Sequence, residues 1–261
     1  NTFTDIWKYS PDDDTWTWIH GSSGFLPNPV SGTQGVPAAA NQPGSRANGA
    51  HWVDSAGNLW IFGGLRQQNP GPRRNDLWHF DMATQMWTWK NGNTTAYNIS
   101  GVYGTKGVAA PTNQPGSRGY GAPASWIDHK NGRLYMFSGN GHDKNNTLGR
   151  TSDMWMYDMY SDMWTWVSGS DEASAGAIVN QGTKGVEAAS NQPLGRQNAA
   201  CWQDADGMFW MFGGAAPLPV TGGITMNDLW RFNPNTHMWT WMGGDPVNGD
   251  QFGVYGQRGV P

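Results

Sequence analysis

The sequence is short of several things that most chains of its length possess. It has one cysteine, Cys201, in 261 residues, which excludes an internal disulfide framework and a thiolate metal cluster. No run approaches the roughly 18 consecutive apolar residues that a membrane-spanning helix needs, so no membrane span is expected. No stretch of about ten residues keeps the apolar spacing of an amphipathic helix. Positive charge is scarce as well: 16 Lys and Arg stand against 20 Asp and Glu, a net charge of -4. That leaves no basic footprint for nucleic acid or for an anionic membrane surface. P-loop, dinucleotide-fingerprint, nucleophile-elbow and metalloprotease His patterns are all missing. The amino end, Asn1-Thr2-Phe3-Thr4, is neither an initiator methionine nor a signal peptide, and the chain is expected to be part of a longer one.

What is plentiful is glycine, at 37 residues, proline, at 16, and tryptophan, at 17. The first two cut the chain into short β-type runs separated by turns. Two phrases then recur four times. Asp-apolar-Trp begins at positions 5, 76, 153 and 228, in steps of 71, 77 and 75 residues. Trp-Thr-Trp follows each of them, at Trp16, Trp87, Trp164 and Trp239, in the same steps. Equal steps in both phrases mean one structural unit carrying loops of unequal length.

Three times the chain also contains Gly-Thr-Gln/Lys-Gly-Val (from Gly32, Gly104 and Gly182), then Asn-Gln-Pro (from Asn41, Asn113 and Asn191), then an arginine (Arg46, Arg118, Arg196). A flexible linker has no reason to repeat in such detail, so this long connection is expected to pack in a fixed conformation. After each arginine come a strand ending in Trp-x-Asp, a glycine turn, and a very apolar strand ending in Gly-Gly or Ser138-Gly139. A unit therefore holds four strands, and the second, apolar throughout, needs cover on both faces. Four-stranded sheets arranged radially meet that need, which gives a β-propeller.

These residues resemble the kelch repeat: a strand ending in Gly-Gly, an Asn/Asp-bearing strand with an aromatic, and a Trp near the end of the unit. The extended unit with Trp-Thr-Trp is similar to tryptophan-rich kelch proteins of exported bacterial chains, and the likeness covers essentially the whole sequence. It implies an all-β, kelch-type β-propeller of four-stranded antiparallel blades, three units complete and one half present. The unit spans run 46–117, 118–195 and 196–261, with the half unit at 1–45, in a single propeller region over 1–261. The resemblance also implies further strands beyond Pro261, or strands supplied by another copy or partner.

What recurs in every unit is expected to be scaffold. All 17 tryptophans fall on recurring positions, where blade packing explains them. The recurring Asp5, Asp76, Asp153 and Asp228 are expected to bond nearby backbone N–H groups, and the recurring arginines to bond carbonyls of an adjacent blade or lie on tryptophan faces. A site is expected among residues that do not recur. These gather in loops on the side of the long connection: Arg66, Arg73, Arg74, His142, Asp143, Lys144 and Arg150. Asn93, Asn98 and Asn145 head glycosylation triplets.

The expected function is a non-catalytic binding or structural module, recognising protein or glycan through the long-loop side, in a secreted, cell-surface or extracellular assembly. The alternative is an enzyme. Resemblance to the galactose oxidase propeller would imply copper held by His and Tyr, and a carbohydrate-active propeller would need paired carboxylates. No cofactor is expected for the module; copper, or calcium at the recurring aspartates, belongs to the alternatives. His51, Ser125 and Cys201 share one position of the unit, which points to a side chain tucked against the neighbouring blade.

Overall fold

The computed structural model describes residues 3–24, 27–66, 71–173, 180–217 and 223–258. A hairpin opens the chain, β1 (Ile6–Ser10) with β2 (Thr15–His20). Three four-stranded antiparallel meanders follow. The first is β3 (Ala50–Val53), β4 (Leu59–Phe62), β5 (Leu77–Asp81) and β6 (Met86–Asn91).

The second meander is β7 (Ala124–Asp128), β8 (Arg133–Phe137), β11 (Met154–Asp158) and β12 (Met163–Ser168), with a small ribbon, β9 (Asn140–His142) and β10 (Leu148–Arg150), inserted at its middle. The third is β13 (Ala200–Gln203), β14 (Phe209–Phe212), β17 (Leu229–Asn233) and β18 (Met238–Gly243), with its own ribbon, β15 (Ala215–Pro217) and β16 (Gly223–Thr225). The four-strand unit read from the repeats is thus observed. The two ribbons are not foreseen by it, because three-residue strands rich in Gly, Ala and Asn carry little β signal.

Each third strand meets its fourth through a register shift at the residue before the tryptophan, at Ile6, Leu77, Met154 and Leu229. The shift twists the pair and sets the two tryptophans opposite each other, as in Trp78 with Trp89 and Trp155 with Trp166. The Trp-Thr-Trp phrase therefore exists to face the Asp-apolar-Trp phrase. Burial follows from it: Trp78, Trp155, Trp164, Trp230 and Trp239 are among the largest fully enclosed side chains.

Units join by repeated contacts. The Trp52 indole N–H donates to Tyr135 O (3.0 Å), and Trp126 donates to Trp210 O (3.1 Å). Phe62 meets Trp164 edge-on at 5.4 Å between centroids, and Phe137 meets Trp239 at 5.1 Å. Where no described unit follows, the equivalents Trp202 and Phe212 stand 45% and 46% exposed. At the other end the β1–β2 hairpin packs Ile6 and Ile19 against Trp78, Phe80 and Trp87, while Trp16 is 65% exposed.

The long connection is ordered, and its role is specific. Gly35 N–H donates to Trp89 O and Gly107 N–H to Trp166 O, each at 2.8 Å. Asn41, Asn113 and Asn191 donate their side-chain amides to the main-chain oxygens of Trp87, Trp164 and Trp239 at 2.9, 3.1 and 2.9 Å. The loop leading into each unit thus covers the unit's outer strand, an edge that would otherwise offer unpaired N–H and C=O groups. A unit longer than the roughly 50 residues usual for kelch is one whose extra length closes its own edge.

Candidate functional site

The recurring charges are buried and paired. Arg46 grips Asp76 through both terminal nitrogens (2.8 and 2.9 Å), Arg118 grips Asp153 (2.9 and 2.5 Å), and Arg196 grips Asp228 (2.5 and 2.8 Å). The same carboxylates accept the indole N–H of Trp78, Trp155 and Trp230. Each arginine also donates to the residue closing its own unit's second strand, Gly63 O, Ser138 O and Gly213 O. These contacts correct the sequence expectation on two counts. The aspartates bind arginine and indole rather than nearby backbone N–H groups, and the carbonyls the arginines bind lie in their own blade and in the connection leading into it. A fully buried carboxylate needs such a partner. Burial alone would raise Asp153; the Arg118 guanidinium outweighs it and holds the carboxyl below its usual range.

Ser138, the departure from Gly-Gly, keeps the glycine's conformation at φ 63°. A Cβ on Gly63 would stand 2.9 Å from Arg118 O and 3.0 Å from Arg74 O. At Ser138 the hydroxyl occupies the matching space, accepting Arg196 N–H at 2.6 Å and lying 2.7 Å from Arg196 O. Polar contact there replaces a steric conflict.

The non-recurring residues fall into distinct settings. Lys144 is exposed and paired with Asp171 (2.8 Å) and Glu172 (3.1 Å). Asp143 is buried, its oxygens accepting the N–H groups of Asn145, Thr147 and Ala173. Arg74 is fully buried over the Tyr97 ring at 4.8 Å, donating to Thr94 O and the Tyr97 hydroxyl. Burial, then the charge of Arg46, lowers its affinity for a proton. Arg66, at the end of the described stretch 27–66, is half-buried.

Arg73, His142 and Arg150 are brought together. Arg73 crosses from the first unit to the second, where its Nε and Nη2 both donate to Asn140 Oδ1 (3.1 and 2.8 Å). Arg150 lies directly opposite Asn140 across the β9–β10 ribbon, and His142 is two residues along the same strand. Alternation places all three on one face. His142 is only 7% exposed, its Nδ1 3.3 Å from Asn146 O and its Nε2 unpartnered. Burial first, and then Arg73's charge, lower its pKa. Burial alone lowers that of Arg150.

Of the glycosylation candidates, Asn145 stands exposed in the β9–β10 turn. Asn93 and Asn98 are also exposed, but their Oδ1 atoms accept backbone N–H groups, from Thr95 and Ala96 and from Arg73.

A cleft of about 310 Å³ lies on the opposite side, among the short turns, lined by Asp128, Lys130, Asn131, Asp204, Asp206 and Asn235. Most of its acidic oxygens are spent on turns. Asp204 accepts from Asp206 N, Met208 N and Trp210 Nε1, and Asp128 from the Asn131 amides. His51, Ser125 and Cys201 form a line across adjacent first strands, Ser125 Oγ donating to His51 O and Cys201 Sγ lying 3.6 Å from Ser125 O. Among the described residues no group of three or more His, Cys, Asp or Glu is placed to share a metal ion, so no aspartate ring for calcium is assembled there.

No protein-family model matches the sequence, and no curated protein does. The structure matches that of YjhT, a kelch-repeat propeller protein, over 94% of this chain at TM-score 0.52 and 14% sequence identity. The fold is a kelch-type β-propeller. The chain spans 61% of the solved YjhT chain, and at that identity the likeness concerns the fold.

Within this propeller, Tyr120 stands apart from its equivalents. The residue two after each recurring arginine has a left-handed backbone: Asn48 at φ 57°, Tyr120 at 74° and Asn198 at 56°. Asparagine tolerates that conformation and a bulky residue pays for it. Tyr120 is nonetheless 59% exposed, so packing does not explain it. It lies within electrostatic range of Arg73. The signal was visible in the sequence as an aromatic standing where both other units carry Asn.

Proposed function

We propose that this propeller is a non-catalytic binding module of an extracellular or cell-surface assembly, engaging a protein or glycan partner through its long-loop side. The observation that carries the reading is the division of its polar chemistry. Every recurring charged pair is consumed inside a blade, whereas Arg73, Tyr120, His142 and Arg150, which break the repeat, collect on one side around the β9–β10 ribbon. Loops displayed by a rigid scaffold are where recognition concentrates. The cleft on the other side offers carboxylates already occupied by turn N–H groups, a poor arrangement for acid–base work.

The test sets binding against turnover. The chain is incubated with primary-alcohol sugars and with aryl glycosides, with and without added copper or calcium, and displayed in parallel to a glycan array and to extracellular proteins. The module reading expects saturable binding without product. Peroxide release, or glycoside cleavage abolished by substituting a named carboxylate, would replace it with the enzyme reading.

A further inference from the structure

We infer that the Arg73, Asn140, Arg150 and His142 cluster is an oxyanion seat, built to hold a carboxylate or phosphate group of the ligand. The inference rests on the reading that the long-loop side is the binding surface, and it names the chemistry recognised there.

The two arginines occupy one position of the repeat. Leu65, Asn140 and Ala215 each pair with the residue after their unit's first arginine, through Ala47, Gly119 and Gln197. Their partners on the other side are Arg73, Arg150 and Thr225. The third unit therefore shows that the fold accepts a small neutral side chain at this position. The arginines are additions to the scaffold, and Arg73 is turned across the unit boundary so that its guanidinium reaches Asn140, the residue that Arg150 faces across the ribbon.

Their charge is uncompensated. Among the described residues neither Arg73 nor Arg150 forms an ion pair, and Arg150 Nε is buried without a partner. The nearest acids in sequence, Asp76 and Asp153, are held by Arg46 and Arg118, and Asp143 is turned into its own loop. Arg73 spends Nε and Nη2 on one amide oxygen, which fixes the guanidinium plane and leaves Nη1 for a ligand. Among the described residues no hydrogen bond engages the terminal nitrogens of Arg150, although its Nε is enclosed. Planar, bidentate donors of this kind match carboxylate and phosphate.

His142 refines the match. Its Nδ1 faces Asn146 O, an acceptor, and so carries the ring proton in the neutral state. Nε2 then offers a lone pair, suited to a hydroxyl next to the oxyanion, as in a hydrogen phosphate or a hydroxy acid. A buried ring nitrogen without a partner is costly, and a ligand hydroxyl would satisfy it.

The test uses the whole chain and Arg150→Thr and Arg73→Thr, substitutions that copy the third unit. Melting temperature and titration calorimetry are followed with inorganic phosphate, with galacturonate against galactose, and with chloride at equal ionic strength. The inference expects phosphate or galacturonate to bind and raise the melting point of the parent chain, with affinity falling at least about tenfold in either variant while both melt normally without ligand. A response to galacturonate but not galactose assigns a carboxylate, and a response to phosphate alone assigns a phosphate. Equal responses in parent and variants, or none to any anion, would overturn the seat. Loss of array binding in Leu148→Glu alongside a silent anion titration would overturn the seat alone and leave the binding side standing.

Discussion

Trp126 in the second unit donates its indole N–H to Trp210 O of the third at 3.1 Å, and this one bond shows how the propeller is assembled. The same tryptophan stacks on Phe209 at 5.5 Å, so one side chain supplies both the polar and the apolar part of a blade interface. Its equivalent one unit on, Trp202, has no described unit to meet, stacks on Trp210 of its own blade at 6.0 Å and lies half open.

A substitution pair separates these two environments. Trp126→Ala is expected to cost about 3–5 kcal/mol, the usual price of emptying a packed aromatic site. Trp202→Ala, which removes a half-exposed ring stacked only on its own blade, should cost clearly less in the same chain. Denaturant unfolding of both variants checks this, and equal losses would mean that Trp202 is covered in solution.

The buried ion pairs make a second prediction. Asp153→Asn leaves Arg118 without its counter-charge and is expected to cost about 3–5 kcal/mol. Replacing Arg118 and Asp153 together by Met and Leu should cost far less, since the desolvation of both charges disappears. The native carboxyl is held below its unfolded value of about 3.9. Its contribution is therefore complete above that value and is lost as pH falls through the lower native one. Unfolding midpoints between pH 5 and 2 should show this loss in the parent chain, and the double variant should lack this part of it.

Histidines act in a separate window. Burial pushes His79 below its ordinary value despite the opposing pull of Asp54, and burial followed by Arg133's charge lowers His237. A base whose native value lies below its unfolded one binds protons more readily when unfolded. Stability is then full above about pH 6.5 and declines as pH drops through that value. Thermal midpoints should fall between pH 7.5 and 5.5, and His79→Phe should flatten the slope. A midpoint rising on acidification would contradict the burial of these rings.

Tyr120 offers a trade between stability and recognition. Tyr120→Asn restores the side chain that both other units use at this left-handed position and is expected to stabilise by about 1 kcal/mol. If the ring belongs to the binding surface, the same change should weaken ligand affinity, a combination that a purely structural residue would not give.

Much of the fold was legible because each blade repeats one packing problem. The aromatic strands, the Gly-Gly ends and the Asn-Gln-Pro phrase recur in phase, and the aromatic contacts between units repeat wherever a following unit is described. The Arg46–Asp76 pairing was not read, although the signal existed: one arginine and one aspartate recur in step in every complete unit, and an in-phase charge that is buried must find an opposite one. The seat at Asn140 was legible only as a set of residue types. Arg73 and Arg150 are equivalent, but inserts of unequal length hide the alignment, and the side chain of Arg73 crosses a unit boundary that no local pattern reveals. Asp143 and Arg74 stood in the same candidate set, and only the fold separates them, by burying the first in its own turn and the second beneath Tyr97.

The most direct test of the account compares the two sides of the propeller in one binding assay. Leu148→Glu and Tyr120→Asn alter exposed side chains on the long-loop side, and Lys130→Glu and Asn235→Ala alter the short-turn cleft. With melting temperatures first shown to be preserved, array binding by each variant is measured against the parent. The account predicts that the first two variants lose binding and the last two keep it; binding lost only in Lys130→Glu or Asn235→Ala would place the partner on the opposite side and contradict it.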